Sequence, residues 1–323
     1  MVRIIPEAAG PVFTRLAKIR LLLATIGAAA GMVVVFHLLY RRTGNPLRQV
    51  LLTVRDLAVE FDKRTRELTG INQELVDSID YARRLQEATL VSPGEMAAGL
   101  DRYFILWQPR DKVGGDFYWL HKLDAERYLV AVIDCTGHGV PGALVTMMVN
   151  STLNHIVERQ NFSPAEIIAE LNRRMKKTLR RNEQGHFTDD GLDIGLCLVE
   201  NRQRLIFAGA KIPLYINRRN DIHVLKGDKQ SIGYRRSRAD LTFTNQVWPI
   251  EKGDAFYLLT DGYIDQCGGE KGYPLGRRKF IAALVEYGDR PLPEQKAVFD
   301  QILREYMGRE AQRDDILMLG FSF

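Results

Sequence analysis

Three kinds of hydrophobic patterning follow one another along the chain. Residues 21–40 (LLLATIGAAAGMVVVFHLLY) are uncharged and mostly apolar on every side. A helix of about twenty residues, rising ~1.5 Å per residue, matches the ~30 Å hydrocarbon layer of a bilayer. The run is long for a cleaved signal peptide, and no small-residue cleavage site comes between it and Arg41-Arg42. It therefore predicts a retained membrane helix over 21–42, preceded by a short N-terminal segment, 1–20. Arg15, Lys18 and Arg20 lie on one side and Arg41 and Arg42 on the other, so charge asymmetry alone does not orient the helix. Gly27 and Gly31 form a GxxxG step, which lets two membrane helices approach closely.

The second pattern covers 47–90. Alternating steps of four and three residues run through Leu47, Leu51, Val54, Ala58, Phe61, Thr65, Leu68, Asn72, Leu75, Ile79, Ala82, Gln86 and Thr89. A repeat of 3.5 residues predicts one long helix with a coiled-coil seam. Thr65, Asn72 and Gln86 weaken that seam, although a buried asparagine also fixes register and a two-stranded state. Two readings follow: a parallel dimer through this helix, which the preceding GxxxG step favours, or an amphipathic helix packed on a following domain.

Ser92-Pro93-Gly94 breaks the helix, and the third pattern fills 94–323. Short apolar runs at 103–107, 128–133, 194–199, 205–208, 213–216, 255–259 and 316–321 are bounded by turn residues and predict strands. Helical periodicity predicts helices over 143–158, 163–181, 277–286 and 292–307. Ser163, Pro164 and Glu166 give the second of these a capping-box start. Many strands with two pairs of helices, and no strict strand–helix alternation, indicate a layered α/β (α+β) domain rich in antiparallel sheet.

Composition narrows the class. With 323 residues, 46% of them hydrophobic and 26% charged, the chain can build a large core and is not globally disordered. The formal charge is only +5. The basic run Arg173, Arg174, Lys176, Lys177, Arg180 and Arg181 lacks interleaved aromatics, so it reads as a solvated helix face and not as a nucleic-acid surface. Cys135, Cys197 and Cys267 form no CxxC pair, which excludes a zinc knuckle and a disulfide framework. A P-loop lysine motif and a kinase signature are also missing.

Four acidic islands carry the candidate chemistry: Gly114-Gly115-Asp116, Asp134-Cys135-Thr136-Gly137-His138-Gly139, Thr260-Asp261-Gly262 and Arg313-Asp314-Asp315. Each aspartate stands at a strand end or beside a glycine turn. Carboxylates gathered from separate strands, with no histidine or cysteine cluster, suit hard cations such as Mg²⁺ or Mn²⁺. Asp-Gly alone is more often a turn than a ligand, so the weight rests on the ordered set.

That set, with 113–118, 132–143, 193–197, 207–210, 226–229 and 259–262, resembles the SpoIIE-type branch of the protein phosphatase 2C family. The segment 78–86 also resembles the signalling helix that often precedes that domain. The resemblance implies an α-β-β-α sandwich of two mostly antiparallel sheets over 94–323, and a metal-dependent serine/threonine phosphatase. It implies two Mn²⁺ or Mg²⁺ ions bridged by Asp134. Asp116 and the Cys135 carbonyl would complete one ion. Asp261 and Asp314 would hold the other, with Asp315 a substitute or supporting group. Water activated by the ions would attack phosphoserine or phosphothreonine on a small bacterial regulator of the STAS, anti-anti-sigma type. The catalytic domain would then face the cytoplasm from a single-pass anchor in the bacterial inner membrane, as a homodimer. Lys112 and Arg110 are candidates for holding the substrate phosphate. Cys135-Thr136 separate Asp134 from His138, so His138 is open to two readings, turn residue or proton donor. The competing reading of the whole is a non-catalytic dimeric scaffold that binds a partner, distinguished by loss of an acidic ligand.

Overall fold

The computed structural model describes residues 10–41, 46–158, 162–179 and 189–323. Arg42, Arg180, Arg181 and the segment 1–9 lie outside them. The chain divides into two compact units, Met1–Val76 and Asp77–Phe323.

In the first unit, helix α1 spans Gly10–Tyr40. Its portion Ala17–Tyr40, with a mean hydropathy of 2.2, is long and apolar enough to cross a membrane. Helix α2 spans Pro46–Thr89 without interruption, so Gly70 is absorbed into it. Its seam residues Leu51, Phe61, Leu68 and Leu75 are more than half exposed in the single chain. From Asp77 onward α2 groups with the second unit.

Ser92-Pro93-Gly94 ends α2 but also starts a further helix, α3 (Pro93–Gly99), where the sequence pattern predicts only a break. Ser92 and Glu95 close a full capping box there: the Ser92 amide donates to Glu95 Oε2 at 2.9 Å and the Glu95 amide donates to Ser92 Oγ at 3.3 Å. The remaining elements are β1 (Arg102–Gln108), β2 (Asp116–Lys122), β3 (Arg127–Cys135), α4 (Gly139–Val157), α5 (Pro164–Leu179), β4 (Leu192–Glu200), β5 (Arg204–Ala210), β6 (Leu214–Arg218), β7 (Asp221–Leu225), β8 (Gln246–Pro249), β9 (Ala255–Leu259), α6 (Asp261–Asp265), β10 (Cys267–Gly268), β11 (Tyr273–Pro274), α7 (Gly276–Tyr287), α8 (Leu292–Met307) and β12 (Ile316–Ser322).

Two five-stranded antiparallel sheets stack face to face, in orders β2-β3-β4-β5-β8 and β1-β12-β9-β6-β7. The central strands are buried on both sides, which is why they read as continuous apolar runs. In β3, Leu129, Ala131 and Ile133 pack against α4 and α5, while Val130 and Val132 meet the opposite sheet. In β12, Ile316 and Met318 pack with α7 and α8, while Leu317, Leu319 and Phe321 face inward. The result is the expected α-β-β-α sandwich. Helix α4 begins at Gly139, earlier than the periodicity suggests. Pro141 fits its first turn because amides there have no intrahelical acceptor. All three cysteines are free and buried.

Candidate metal centre

Side chains alternate along a strand, so residues of one parity share a face. Asp134 continues the Val130–Val132 row and therefore faces the layer between the sheets. Asp116 has the parity of Tyr118 and Leu120 in β2, and Asp193 that of Cys197 and Val199 in β4, all inter-sheet residues. Register then places the three acids side by side: Asp116 pairs with Asp134, and Asp134 with Asp193. From the facing sheet, Thr260 extends the Phe256–Leu258 row of β9, and Asp315 extends the Leu317–Leu319 row of β12. The site thus occupies one mouth of the inter-sheet layer.

The two sheets are tied there. Thr260 Oγ1 donates to Asp116 Oδ2 at 2.6 Å and accepts the Leu317 amide at 3.0 Å. Asp261 opens α6 directly afterwards, and Asp314 is exposed beside it in the sequence of β12's approach. Glycines permit the close approaches: a Cβ at Gly262 would collide with the Asp315 carbonyl, and one at Gly115 would land 2.6 Å from the Cys135 carbonyl oxygen. Only Gly137 (φ 85°) and Gly139 (φ 65°) use the left-handed backbone that the glycine-rich loop suggested.

The electrostatics are dominated by crowded negative charge. Burial, then the charge of Asp134, pushes the Asp116 carboxyl well above its ordinary value. Burial, followed by Asp261, Asp193 and Asp314, does the same to Asp134, and the Asp116 and Asp134 carboxyls hydrogen-bond each other. Asp261 keeps an exposed edge, yet burial of its inner side with Asp265 and Asp314 nearby pushes it up to about 6. Asp193 is also raised by burial, against a Ser231 hydrogen bond and the Lys211 charge. Its Oδ1 is buried with no hydrogen-bond partner among the described residues.

An orphaned buried oxygen amid mutually repelling carboxylates is what a hard cation relieves. The donors are all oxygen: the Cys135 thiol, pushed up by burial and by the Asp134 charge, is not a thiolate ligand. Among the described residues no three such side chains close into a ready-made ligand set. Carboxylates lacking a counter-charge repel one another, and an all-oxygen site of this kind also draws on carbonyls and water. The residues present fit Mg²⁺ or Mn²⁺.

Several expectations change. Asp315 is not free for a cation: Oδ1 accepts the Arg110 amide at 2.7 Å and Oδ2 the Gly115 amide at 2.6 Å, which fixes the loop before Asp116. The Lys112 ammonium, a candidate for the substrate phosphate, donates to both oxygens of Asp80 on α2 at 2.8 Å. The Arg110 guanidinium is engaged with the Arg313 carbonyl, Asp111 and His138. His138 is the N-cap residue of α4, and its Nδ1 lies 2.8 Å from Asp111 Oδ2. Gln86, placed by periodicity in a helix seam, is buried in the second unit: it donates to the Gly114 carbonyl at 2.6 Å and to Thr146 Oγ1 at 3.0 Å. On α5, Arg173 and Lys177 are solvated, but Lys176 is buried and donates to the Tyr234 carbonyl at 2.7 Å. The sequence assigns Asp193 no role, since an Asp-Ile-Gly inside an apolar run carries no turn signal. Its pairing with Asp134 is the signal.

A two-sheet sandwich flanked by helix pairs, with aspartates at one mouth, is the architecture of a protein phosphatase 2C-type domain. Residues 124–323 match the family model described as Stage II sporulation protein E (SpoIIE). The SiaA-PP2C domain of Pseudomonas aeruginosa is 41% identical, with a TM-score of 0.71 over 78% of this chain and 98% of that one. Two Bacillus subtilis proteins are similar at lower identity. Phosphoserine phosphatase RsbU is 24% identical over 73% of this chain and 68% of its own length. Phosphoserine phosphatase RsbP is 23% identical over 68% of this chain, which spans about half of that relative (51%). The chain belongs to the SpoIIE family.

Proposed function

We propose that the second unit is a metal-dependent protein serine/threonine phosphatase acting on a small phosphorylated regulatory protein of the STAS, anti-anti-sigma type. The observation that carries this reading is the cross-strand row Asp116–Asp134–Asp193, faced by Asp261 and Asp314 at one mouth of the sandwich. Asp134 stands between the others and would contact both of two divalent ions. Asp116 and the Cys135 carbonyl flank it on one side. Asp261 and Asp314 flank it on the other, with Asp193 adjacent. When bound, Mn²⁺ or Mg²⁺ supplies an activated water for in-line attack on the phosphorus and offsets charge on the phosphoryl oxygens. Thr260 and Asp315 hold Asp116 and its loop in place. The naming of two relatives as phosphoserine phosphatases supports the choice of phosphoamino acid.

The setting is part of the proposal. Helix α1 would anchor the chain in the bacterial inner membrane with the second unit in the cytoplasm, where phosphorylated regulators reside. The exposed seam of α2 would pair with that of a second copy, an arrangement supported by Leu51, Phe61, Leu68 and Leu75 lying uncovered in one chain.

The test uses the full chain in detergent with a phosphoserine peptide. Phosphate release should require Mn²⁺ or Mg²⁺, and Asp134→Ala should abolish it while the circular dichroism spectrum stays unchanged. Undiminished turnover in excess chelator, or in the variant, sinks the two-metal reading.

A further inference from the structure

The row of charged positions across β2, β3 and β4 does not stop at Asp193. Ile194 pairs with Ala210, so one step outward along both strands brings Lys211, in the turn after β5, opposite Asp193. Its backbone lies at φ 65°, a conformation that non-glycine residues seldom adopt.

The turn is fixed on several sides. The Lys211 amide donates to the Asp228 carbonyl, the Asp228 amide to the Gly209 carbonyl and the Ile212 amide to the Ala210 carbonyl, each at 2.8 Å. Gly209 and Gly227 pack so tightly that a Cβ on Gly227 would meet the Ile212 carbonyl oxygen at 2.7 Å. Glycine or asparagine would suit position 211 better on conformational grounds. The lysine side chain is exposed and makes no hydrogen bond or ion pair among the described residues. A strained backbone that displays a cation beside a ligand site, with no structural use for the cation, points to a ligand role. Its charge acts on both Asp193 and Asp261. The two cationic side chains nearest the first acidic island, Arg110 and Lys112, are already committed to other protein groups. Among the described residues Lys211 is thus an exposed cation opposite Asp193 whose side chain no protein group holds.

We infer that Lys211 is the phosphate-binding residue of this site, its ammonium donating hydrogen bonds to the phosphoryl oxygens of the substrate and of the released phosphate. The inference rests on reading the centre as a phosphatase site. The competing role is a counter-charge that only eases repulsion between Asp193 and Asp261. The two differ in what they move: a phosphate ligand changes anion affinity, and a counter-charge changes cation affinity.

The test compares the full chain with Lys211→Gly, Lys211→Met and Lys211→Arg. Lys211→Gly removes the ammonium while relieving the backbone, so its fold is not at risk. Calorimetric titration of inorganic phosphate into Mn²⁺-loaded protein should show affinity about tenfold weaker in the Gly and Met variants, the scale of one charge-assisted hydrogen bond. KM for a phosphoserine peptide should rise in parallel, Lys211→Arg should restore most of both, and Mn²⁺ affinity should change less than about twofold. Unchanged phosphate affinity with altered Mn²⁺ affinity overturns the inference in favour of the counter-charge, and so does a loaded wild type that binds no phosphate. A wild type that binds phosphate but hydrolyses no phosphopeptide refutes the phosphatase reading instead, and the phosphate titration still decides the role of Lys211.

Discussion

Asp315→Asn separates a brace from a ligand. In the wild type two backbone amides, from Arg110 and Gly115, donate to the two oxygens of one buried carboxylate at 2.7 and 2.6 Å. An asparagine keeps one acceptor oxygen and turns an NH₂ group toward the other amide. The loss is one bond to a charged group, about 1.5–3 kcal/mol, plus about 1–3 kcal/mol for a buried amide left without an acceptor. Part of this is returned, because burial and the Asp314 charge disfavour the ionised Asp315 to begin with. A net destabilisation of about 2–3 kcal/mol follows, or a fall of roughly 4–12 °C in the thermal midpoint at ~2–4 °C per kcal/mol. The assay is thermal unfolding of the full chain in excess chelator, so that metal binding does not contribute. Asp314→Asn is the control: that residue is exposed, and its replacement should leave the midpoint within about 1 °C while weakening Mn²⁺ binding. If Asp315→Asn unfolds with the wild type in chelator and fails only in Mn²⁺ binding, Asp315 is a ligand and the brace argument is wrong.

Two further outcomes are expected. Gln86→Ala removes the partners of the Gly114 carbonyl and amide and of Thr146, and should cost about 1–3 kcal/mol in denaturant titration. An unchanged midpoint would show that this end of α2 does not dock on the second unit. Asp254 gives the pH dependence: burial raises its carboxyl, but the Arg218 guanidinium, the Glu251 amide and the Trp248 indole outweigh burial and hold it below its ordinary value of 3.8. A depressed folded pKa contributes stability that is present above about pH 4 and is lost as pH falls through the lower folded value. Thermal midpoints measured from pH 6 down to pH 2.5 should therefore show an acid step in the wild type that is smaller in Asp254→Asn; equal steps would refute it.

The strands best read from the sequence are those buried on both faces, because burial leaves an unbroken apolar run. The 255–259 run is β9 to the residue, and 316–321 falls one short of β12. The strands without such a run are half-exposed or very short: β7 (DIHVL) and β8 (QVWP) have no fully buried residue, and β10 and β11 hold two residues each. Their pairing comes from neighbours and not from their own composition. The aspartates beside glycine were legible because the glycines mark close backbone approach. Asp193 was not, since its place depends on the register of β4 against β3. Of the adjacent acids Asp314 and Asp315, parity with Leu317 and Leu319 identifies the inward one, a cue available once β12 is placed. The Lys112–Asp80 pair joins residues 32 positions apart, on a loop and a helix, and no local pattern encodes it.

Strand β12 lies between β1 and β9, and Asp314 and Asp315 immediately precede it. The pairing that joins β1 to β9 and the carboxylate that fastens the loop before Asp116 thus belong to one segment. Loss of the β12 pairing would open the second sheet and loosen the acidic mouth in one step.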